Sequence, residues 1–240
     1  MKIAEIYAVL DALAPFGSQE EWDNSGLLIG SMDDEVKSVV LALDLNLKMI
    51  REAEPNTLFI THHPLIFRGL KNLNPSLYPA SVATELIRKN CALIAAHTNY
   101  DKAVLNHYVL TQVLGFEPTS EEGFVLEFEP NMSFDNLALR VKSRLELSNL
   151  KVVRAGEYIK TAAFCAGSGT DLIGSFAADC FLSGDFKYHT ALESYENKLS
   201  LIDITHYASE RYFGASLLPH LQKNGIFAKI TASHNPFEYL

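Results

Sequence analysis

Apolar residues at the start of the chain recur at helical spacing. Ile3, Ile6, Leu10 and Leu13 share one face, so the pattern predicts an amphipathic helix over 3–14, ended by Pro15 and Gly17. Trp22-Asp23-Asn24-Ser25-Gly26 is a turn by composition and leads into the apolar run Leu27-Leu28-Ile29. Residues 36–45 predict a strand ending near Asp44, 46–54 a short helix stopped by Pro55, and 57–61 a second strand. That strand delivers His62 and His63 at its C-terminal end. A looser segment holding Gly69, Pro75 and Pro79 precedes a helix over 80–89, and a strand over 91–96 ends at His97. A helix over 101–114 is closed by Gly115.

The alternation then restarts. Strands are predicted at 124–128, 151–155, 160–166, 180–183, 199–204 and 226–231. Helices are predicted at 133–147 with Ser133 as N-cap, from Gly167-Ser168-Gly169 to 177, at 188–196, and from Glu210 to 223. Strand and helix alternating along the whole length predict an α/β fold with mixed sheets. A weak internal repeat sharpens this. Phe59-Ile60-Thr61-His62-His63 parallels Phe181-Leu182-Ser183-Gly184-Asp185, and Leu93-Ile94 with His97 and Asp101 parallels Leu201-Ile202 with His206 and Glu210. The expected architecture is two similar α/β halves, 1–120 and 121–240, with the site in the crevice between them and a C-terminal segment able to return to the first half.

Composition narrows the class. At 48% hydrophobic and 20% charged residues over 240 positions, the chain has the core of an ordinary globular protein. It has no 18-residue apolar run and no secretory pattern at its N-terminus, so no membrane partner is expected and a cytoplasmic location is. Cys91, Cys165 and Cys180 lie in apolar runs without CxxC spacing and read as reduced core thiols. The net charge is −9 and no basic cluster exceeds two residues, which argues against nucleic acid as a partner.

Ionisable residues gather at the C-terminal ends of predicted strands: Asp44, His62-His63, His97 with Asp101, Asp185, and His206 with Glu210. Open α/β sheets place their sites there. Imidazole and carboxylate without thiolate suit divalent zinc, manganese, iron, cobalt or nickel. Side chains alternate along a strand. His62 and His63 therefore serve one ion only if the strand has ended; otherwise each serves its own ion, with about 3.5–4 Å between the two. Glu210 has the reach to bridge such a pair. His107, His220 and His234 read as structural or surface residues, the first two on helices without a nearby acid. Gly167-x-Gly169 is a tight turn, or else a helix start able to hold an anion.

These motifs resemble the YbgI-like dinuclear metal-centre proteins, the DUF34 group often labelled GTP cyclohydrolase type 2 homologues. The resemblance spans Trp22-Asp23-Asn24-x-Gly26-Leu27, Thr61-His62-His63-Pro64-Leu65, His97-Thr98-Asn99-x-Asp101, Gly167-Ser168-Gly169, Gly184-Asp185-x-Lys187-Tyr188-His189 and His206-x3-Glu210. It implies two divalent ions per subunit and five ligands. His63 and Asp101 would hold one ion, His62 and His206 the other, and Glu210 would bridge. It further implies His97, Asp185 and His189 as surrounding or proton-transfer groups, and a homo-oligomer, a hexameric ring. One departure stands out: Thr205 occupies a position where the family commonly has glycine.

The expected activity is that of a metal-dependent hydrolase acting on a small molecule, GTP if the family label holds, with ring-opening hydrolysis of the guanine imidazole and His97 or His189 as general acid or base. The rival expectation is a non-enzymatic metal-handling or scaffold protein. It would keep the ligands but would not need the proton-transfer groups.

Overall fold

A computed structural model describes residues 1–238. The described residues fold into two compact units, one formed by 1–103 with 213–234 and the other by 104–212 with 235–238.

In chain order, the first unit begins with α1 (Ile3–Leu13), which buries Ile3, Ile6 and Leu10 as its spacing predicts. It continues through β1 (Gly26–Ile29), β2 (Ser38–Ala42), α2 (Leu47–Glu52), β3 (Thr57–Thr61), α3 (Ala80–Arg88), β4 (Ala92–Ala95) and α4 (Thr98–Tyr100). The helical path runs on as a π turn over Asp101–Leu105, then α5 (Asn106–Tyr108) and a second π stretch over Val109–Leu114, and stops at Gly115 with φ +72°. The helix thus starts at Thr98, three residues before the predicted Asp101.

The second unit holds β5 (Pro118–Glu122), β6 (Val125–Phe128), β7 (Met132–Ser133), α6 (Phe134–Arg144), β8 (Lys151–Val153), β9 (Tyr158–Ile159), β10 (Ala162–Ser168), β11 (Cys180–Gly184), α7 (Tyr188–Glu196), β12 (Ser200–Asp203) and α8 (His206–Glu210). Ser133 caps α6 by accepting from the Asn136 N–H at 3.3 Å, as the sequence predicts. The chain then returns to the first unit as α9 (Phe213–Lys223) and β13 (Ala228–Ile230).

The first unit's sheet has the order β1-β4-β3-β2-β13, antiparallel only at β1. The second unit's main sheet has the order β5-β6-β10-β11-β12-β8, parallel through β10, β11 and β12 and antiparallel elsewhere. The mixed α/β class is therefore as predicted. Every residue of β3, β4, β11 and β12 is buried, which explains why they read as unbroken apolar runs. All three cysteines are buried. No helix among the described residues is long and apolar enough to cross a membrane.

Where the structure departs from the pattern, the reasons are identifiable. The helix expected from Gly167 to 177 is a single 3-10 turn over Thr170–Leu172, between glycines at φ +66° and φ +100°. The apolar spacing there came from Leu172, Ile173 and Phe176, which pack onto the sheet from a non-helical segment. The long helix from Glu210 is two helices, α8 and α9, separated at Arg211 and Tyr212. The strand β5 went unpredicted because Pro118-Thr119-Ser120-Glu121-Glu122 is a polar edge with no apolar alternation.

Candidate metal centre

In the first unit the site begins where β3 ends. The His62 N–H donates to the Ala42 carbonyl at 3.3 Å and the His63 N–H to the Leu43 carbonyl at 3.1 Å. Consecutive residues bonding to the same neighbouring strand mark the end of regular pleating, where donors to one neighbour alternate. The two rings consequently converge, with centroids 5.1 Å apart. His97 follows β4, and its ring lies 5.1 Å from His62 and 5.6 Å from His63. The donor atoms of His62, His63 and His97 fall within 4.8 Å of one another, close enough to hold an ion. The strand has ended and the side chains do not diverge, so alternation along the strand no longer decides whether the two histidines share an ion.

Each imidazole is held through Nδ1. His62 Nδ1 meets the Ala96 carbonyl at 2.9 Å, His63 Nδ1 meets Asp44 Oδ1 at 2.8 Å, and His97 Nδ1 meets Asp23 Oδ1 at 2.8 Å. All three partners are acceptors, so Nδ1 carries a proton and, in the neutral ring, Nε2 holds the lone pair. Metal-ligating histidines are commonly oriented in this way. Asp23 is fixed in turn. Its side chain is fully buried and accepts from the N–H groups of Asn24 and Thr98 and from the Ser25 and Thr98 hydroxyls. Burial alone would raise its pKa, but the bonds from His97 and Thr98 outweigh that and hold the carboxyl far below the usual range.

Asp101 opens the first π turn, a distortion that often marks functional positions. Its Oδ1 is buried, accepts no hydrogen bond among the described residues, and lies 3.3 Å from His62 Nε2. Adjacent ligands around an ion bound at about 2.0–2.1 Å are roughly 2.9–3.4 Å apart, so the contact has the spacing of two ligands on one divalent cation, which would also satisfy the Asp101 oxygen. The resemblance implies Asp101 on the ion of His63, whereas its contact here is with His62. Phe213 backs the His62 ring at 5.3 Å and in turn meets Tyr100, whose hydroxyl bonds to Ser216 at 3.0 Å.

In the second unit, α8 follows β12 and carries both His206 and Glu210. His206 Nδ1 meets Asp185 Oδ2 at 2.8 Å and Nε2 lies 3.0 Å from Glu210 Oε2. Burial lowers the His206 pKa, but the two carboxylates outweigh it and push it up to about 9. Glu210 is itself buried. Gly167 explains how it fits. A Cβ at Gly167 would lie 2.0 Å from Glu210 Oε1, and its N–H is taken by the Ser209 hydroxyl at 2.9 Å. The Gly167-x-Gly169 motif therefore makes room for a carboxylate rather than opening an anion-binding helix.

Thr205 sits at φ +58°, ψ 146°, a region that disfavours a β-branched residue. It returns part of that cost by capping α8, accepting from the Ala208 N–H at 3.4 Å. Asp185 also has positive φ, +61°.

A match to the Duf34/NIF3 (NGG1p interacting factor 3) family model covers residues 1–236. The chain belongs to this family. Among its Duf34/NIF3 relatives, the GTP cyclohydrolase 1 type 2 homolog of Campylobacter jejuni is 50% identical over 240 residues, covering 100% of both chains. The GTP cyclohydrolase 1 type 2 of Helicobacter pylori is 40% identical over 240 residues, covering 99% of both. The crystal structure of a hypothetical protein from Staphylococcus aureus superimposes with a TM-score of 0.84 at 30% identity, covering 100% of this chain and 99% of that one.

The remaining sequence candidates separate. Asp185 stands as the anchor of His206. His189 is exposed on the first turn of α7, where the structure records a ring contact with Tyr188 at 5.3 Å and no grouping with other donors among the described residues. His107 has an acid nearby after all, Glu121 at 3.7 Å. Sequence reasoning gave Asp23 no role; its one signal was its place in the Trp22-Asp23-Asn24 motif. Asp44 was flagged only as a polar strand end.

Proposed function

We propose that this chain is a dinuclear metal-dependent hydrolase, with GTP as the candidate substrate. The observation that carries the metal reading is the His62 Nε2–Asp101 Oδ1 contact, whose buried oxygen accepts no hydrogen bond among the described residues. The proposed ligands are His62, His63, Asp101, His206 and Glu210. The contact favours His62 and Asp101 on one ion, which leaves His63 and His206 for the other and Glu210 as the bridge. Divalent ions, when bound, supply Lewis acidity and lower the pKa of water.

The chain's own residues do the rest. Asp44, Asp23, Asp185 and the Ala96 carbonyl fix which imidazole nitrogen is available. The Asp23–His97 pair resembles a carboxylate-oriented general base, with Nε2 able to take a proton from the attacking water and return it to the leaving nitrogen. The names of the Campylobacter and Helicobacter relatives support GTP and a ring-opening hydrolysis.

Metal-replete protein incubated with GTP should release formate, and Glu210→Ala should abolish that release. Equal release from Glu210→Ala, or none from metal-replete wild type, contradicts the hydrolase. A metal-handling role is supported by the same anchored imidazoles. His97→Gln separates the two readings: the enzyme loses turnover with its metal retained, whereas a carrier changes little.

A further inference from the structure

Two large aromatic side chains stand in solvent beside His97. Trp22 is 58% exposed and Phe67 43% exposed, although each ring lies 6.2 Å from the His97 imidazole and they lie 5.8 Å from one another. The three planes are steeply inclined, at 77° for Trp22 and 86° for Phe67 against His97, and 55° between the two aromatics. The rings therefore form an open corner, not a packed stack. A flat molecule lying on either aromatic face meets the imidazole plane edge to face.

The corner is fixed by its surroundings. Trp22 lies between the Glu20 carbonyl, which accepts from the Asp23 N–H at 3.0 Å, and the buried Asp23 carboxylate. Phe67 follows buried Leu65, and the Ile66 carbonyl accepts from Asn24 Nδ2 at 2.6 Å. That bond clips the two loops together. Exposed aromatic surface held rigidly beside a candidate reaction site is preorganised for contact with a ligand's π-face.

We propose that Trp22 and Phe67 form a stacking platform for a planar heteroaromatic ring, a purine base, whose edge is presented to His97. This deepens the hydrolase reading by naming the part of the substrate that the first unit recognises, and it rests on that reading for the role of His97. Base-on-aromatic stacking tolerates different bases because every base offers a π-face. The platform therefore supplies affinity, and edge contacts supply discrimination.

Trp22 is the only tryptophan of the chain and reports on its own environment. The test titrates guanosine, adenosine and inosine into metal-free full-length protein, with ribose and inorganic triphosphate as controls, and follows Trp22 fluorescence. We expect saturable quenching by the nucleosides and none by ribose or triphosphate. Phe67→Ala should weaken nucleoside binding about tenfold, Phe67→Leu should weaken it similarly because it keeps bulk without a π-face, and Phe67→Tyr should restore it. No saturable change with any of the three nucleosides overturns the platform, as does equal quenching by triphosphate or unaltered affinity in Phe67→Ala. The readout needs neither metal nor turnover. Failure to retain metal or to hydrolyse GTP would defeat the hydrolase and leave a positive stacking result standing. A metal-loaded, active protein without quenching would defeat the platform alone.

Discussion

β3, flanked by the parallel strands β2 and β4, and β11, flanked by the parallel strands β10 and β12, occupy corresponding places, but their tips carry different chemistry. After β3 the chain presents His62 and His63, two candidate ligands. β11 ends on Gly184 and presents Asp185, which serves as the anchor of a histidine that follows β12. The first unit must therefore bring its anchors from elsewhere: Asp44 follows β2, and Asp23 comes from the turn before β1. The energetics differ as well. His62 is wholly buried and Asp101 nearly so, on backbone of ordinary sign, whereas Asp185 and Thr205 both have positive φ. The candidate ligands His62 and His63 thus follow a buried strand end in one unit, whereas His206 in the other is anchored and preceded by residues on strained turns. Strain of this kind persists only where the surroundings enforce it, and it is common at functional sites.

The largest expected effect tests the second unit's close packing. Gly167 and Gly123 both have positive φ, but only Gly167 has a neighbour, Glu210, where a Cβ would go. Gly167→Ala should displace Glu210 and weaken metal binding by at least about 100-fold, beyond what loss of an outer partner gives. Gly123→Ala should carry a similar backbone cost and leave metal affinity unchanged. Equal affinities in isothermal titration would remove Glu210 from the ligand set.

Next come the anchors. Asp44→Asn in the first unit and Asp185→Asn in the second should each cost about 10–100-fold in metal affinity, with the fold intact by circular dichroism. Unaltered affinity in Asp44→Asn would remove His63 from the proposed ligands, and unaltered affinity in Asp185→Asn would remove His206.

A smaller effect concerns pH. In metal-free protein the folded His206 pKa of about 9 lies above its ordinary value of 6.5. Its contribution to stability is therefore complete below about 6.5 and is lost as pH rises through about 9. Metal must displace that proton, so apparent affinity should rise with pH across the same window. Denaturant midpoints of metal-free wild type and His206→Gln should differ most at the acidic end of this window and converge above pH 9.

The smallest effect is at Thr205. Thr205→Gly should remove the φ penalty at the cost of a few tenths for the cap, a net gain of about 1 kcal/mol. Thr205→Ala keeps the penalty and loses the cap, for a loss of about 1 kcal/mol. Chemical denaturation reads both, and the reverse order would show that the strain at this turn is not what distinguishes the second unit.

Much of this comparison was legible in the chain. Buried parallel strands announce themselves as apolar runs, so the sites of His62, His97 and His206 at strand ends followed from pattern alone. The π turn at Asp101 and the break at Arg211 left no periodic signal, because both alter hydrogen bonding without altering which face is apolar. Asp23 was obscured because its hydrogen bonds join residues more than 70 positions apart. Convergence of the His62 and His63 rings was undecidable from alternation, which holds only while the strand continues. The role of Gly167 depended on a carboxylate 43 residues later in the chain, and local turn chemistry gives no hint of it.

The most direct measurement is the metal content of the purified chain, by mass spectrometry of the elements after dialysis against metal-free buffer, for wild type, Asp101→Ala and Glu210→Ala. We predict two divalent ions per wild-type chain, about one in Asp101→Ala, and near-complete loss in Glu210→Ala, where the bridge is removed. Fewer than one ion per wild-type chain after reconstitution, or the same content in all three proteins, would contradict the dinuclear centre.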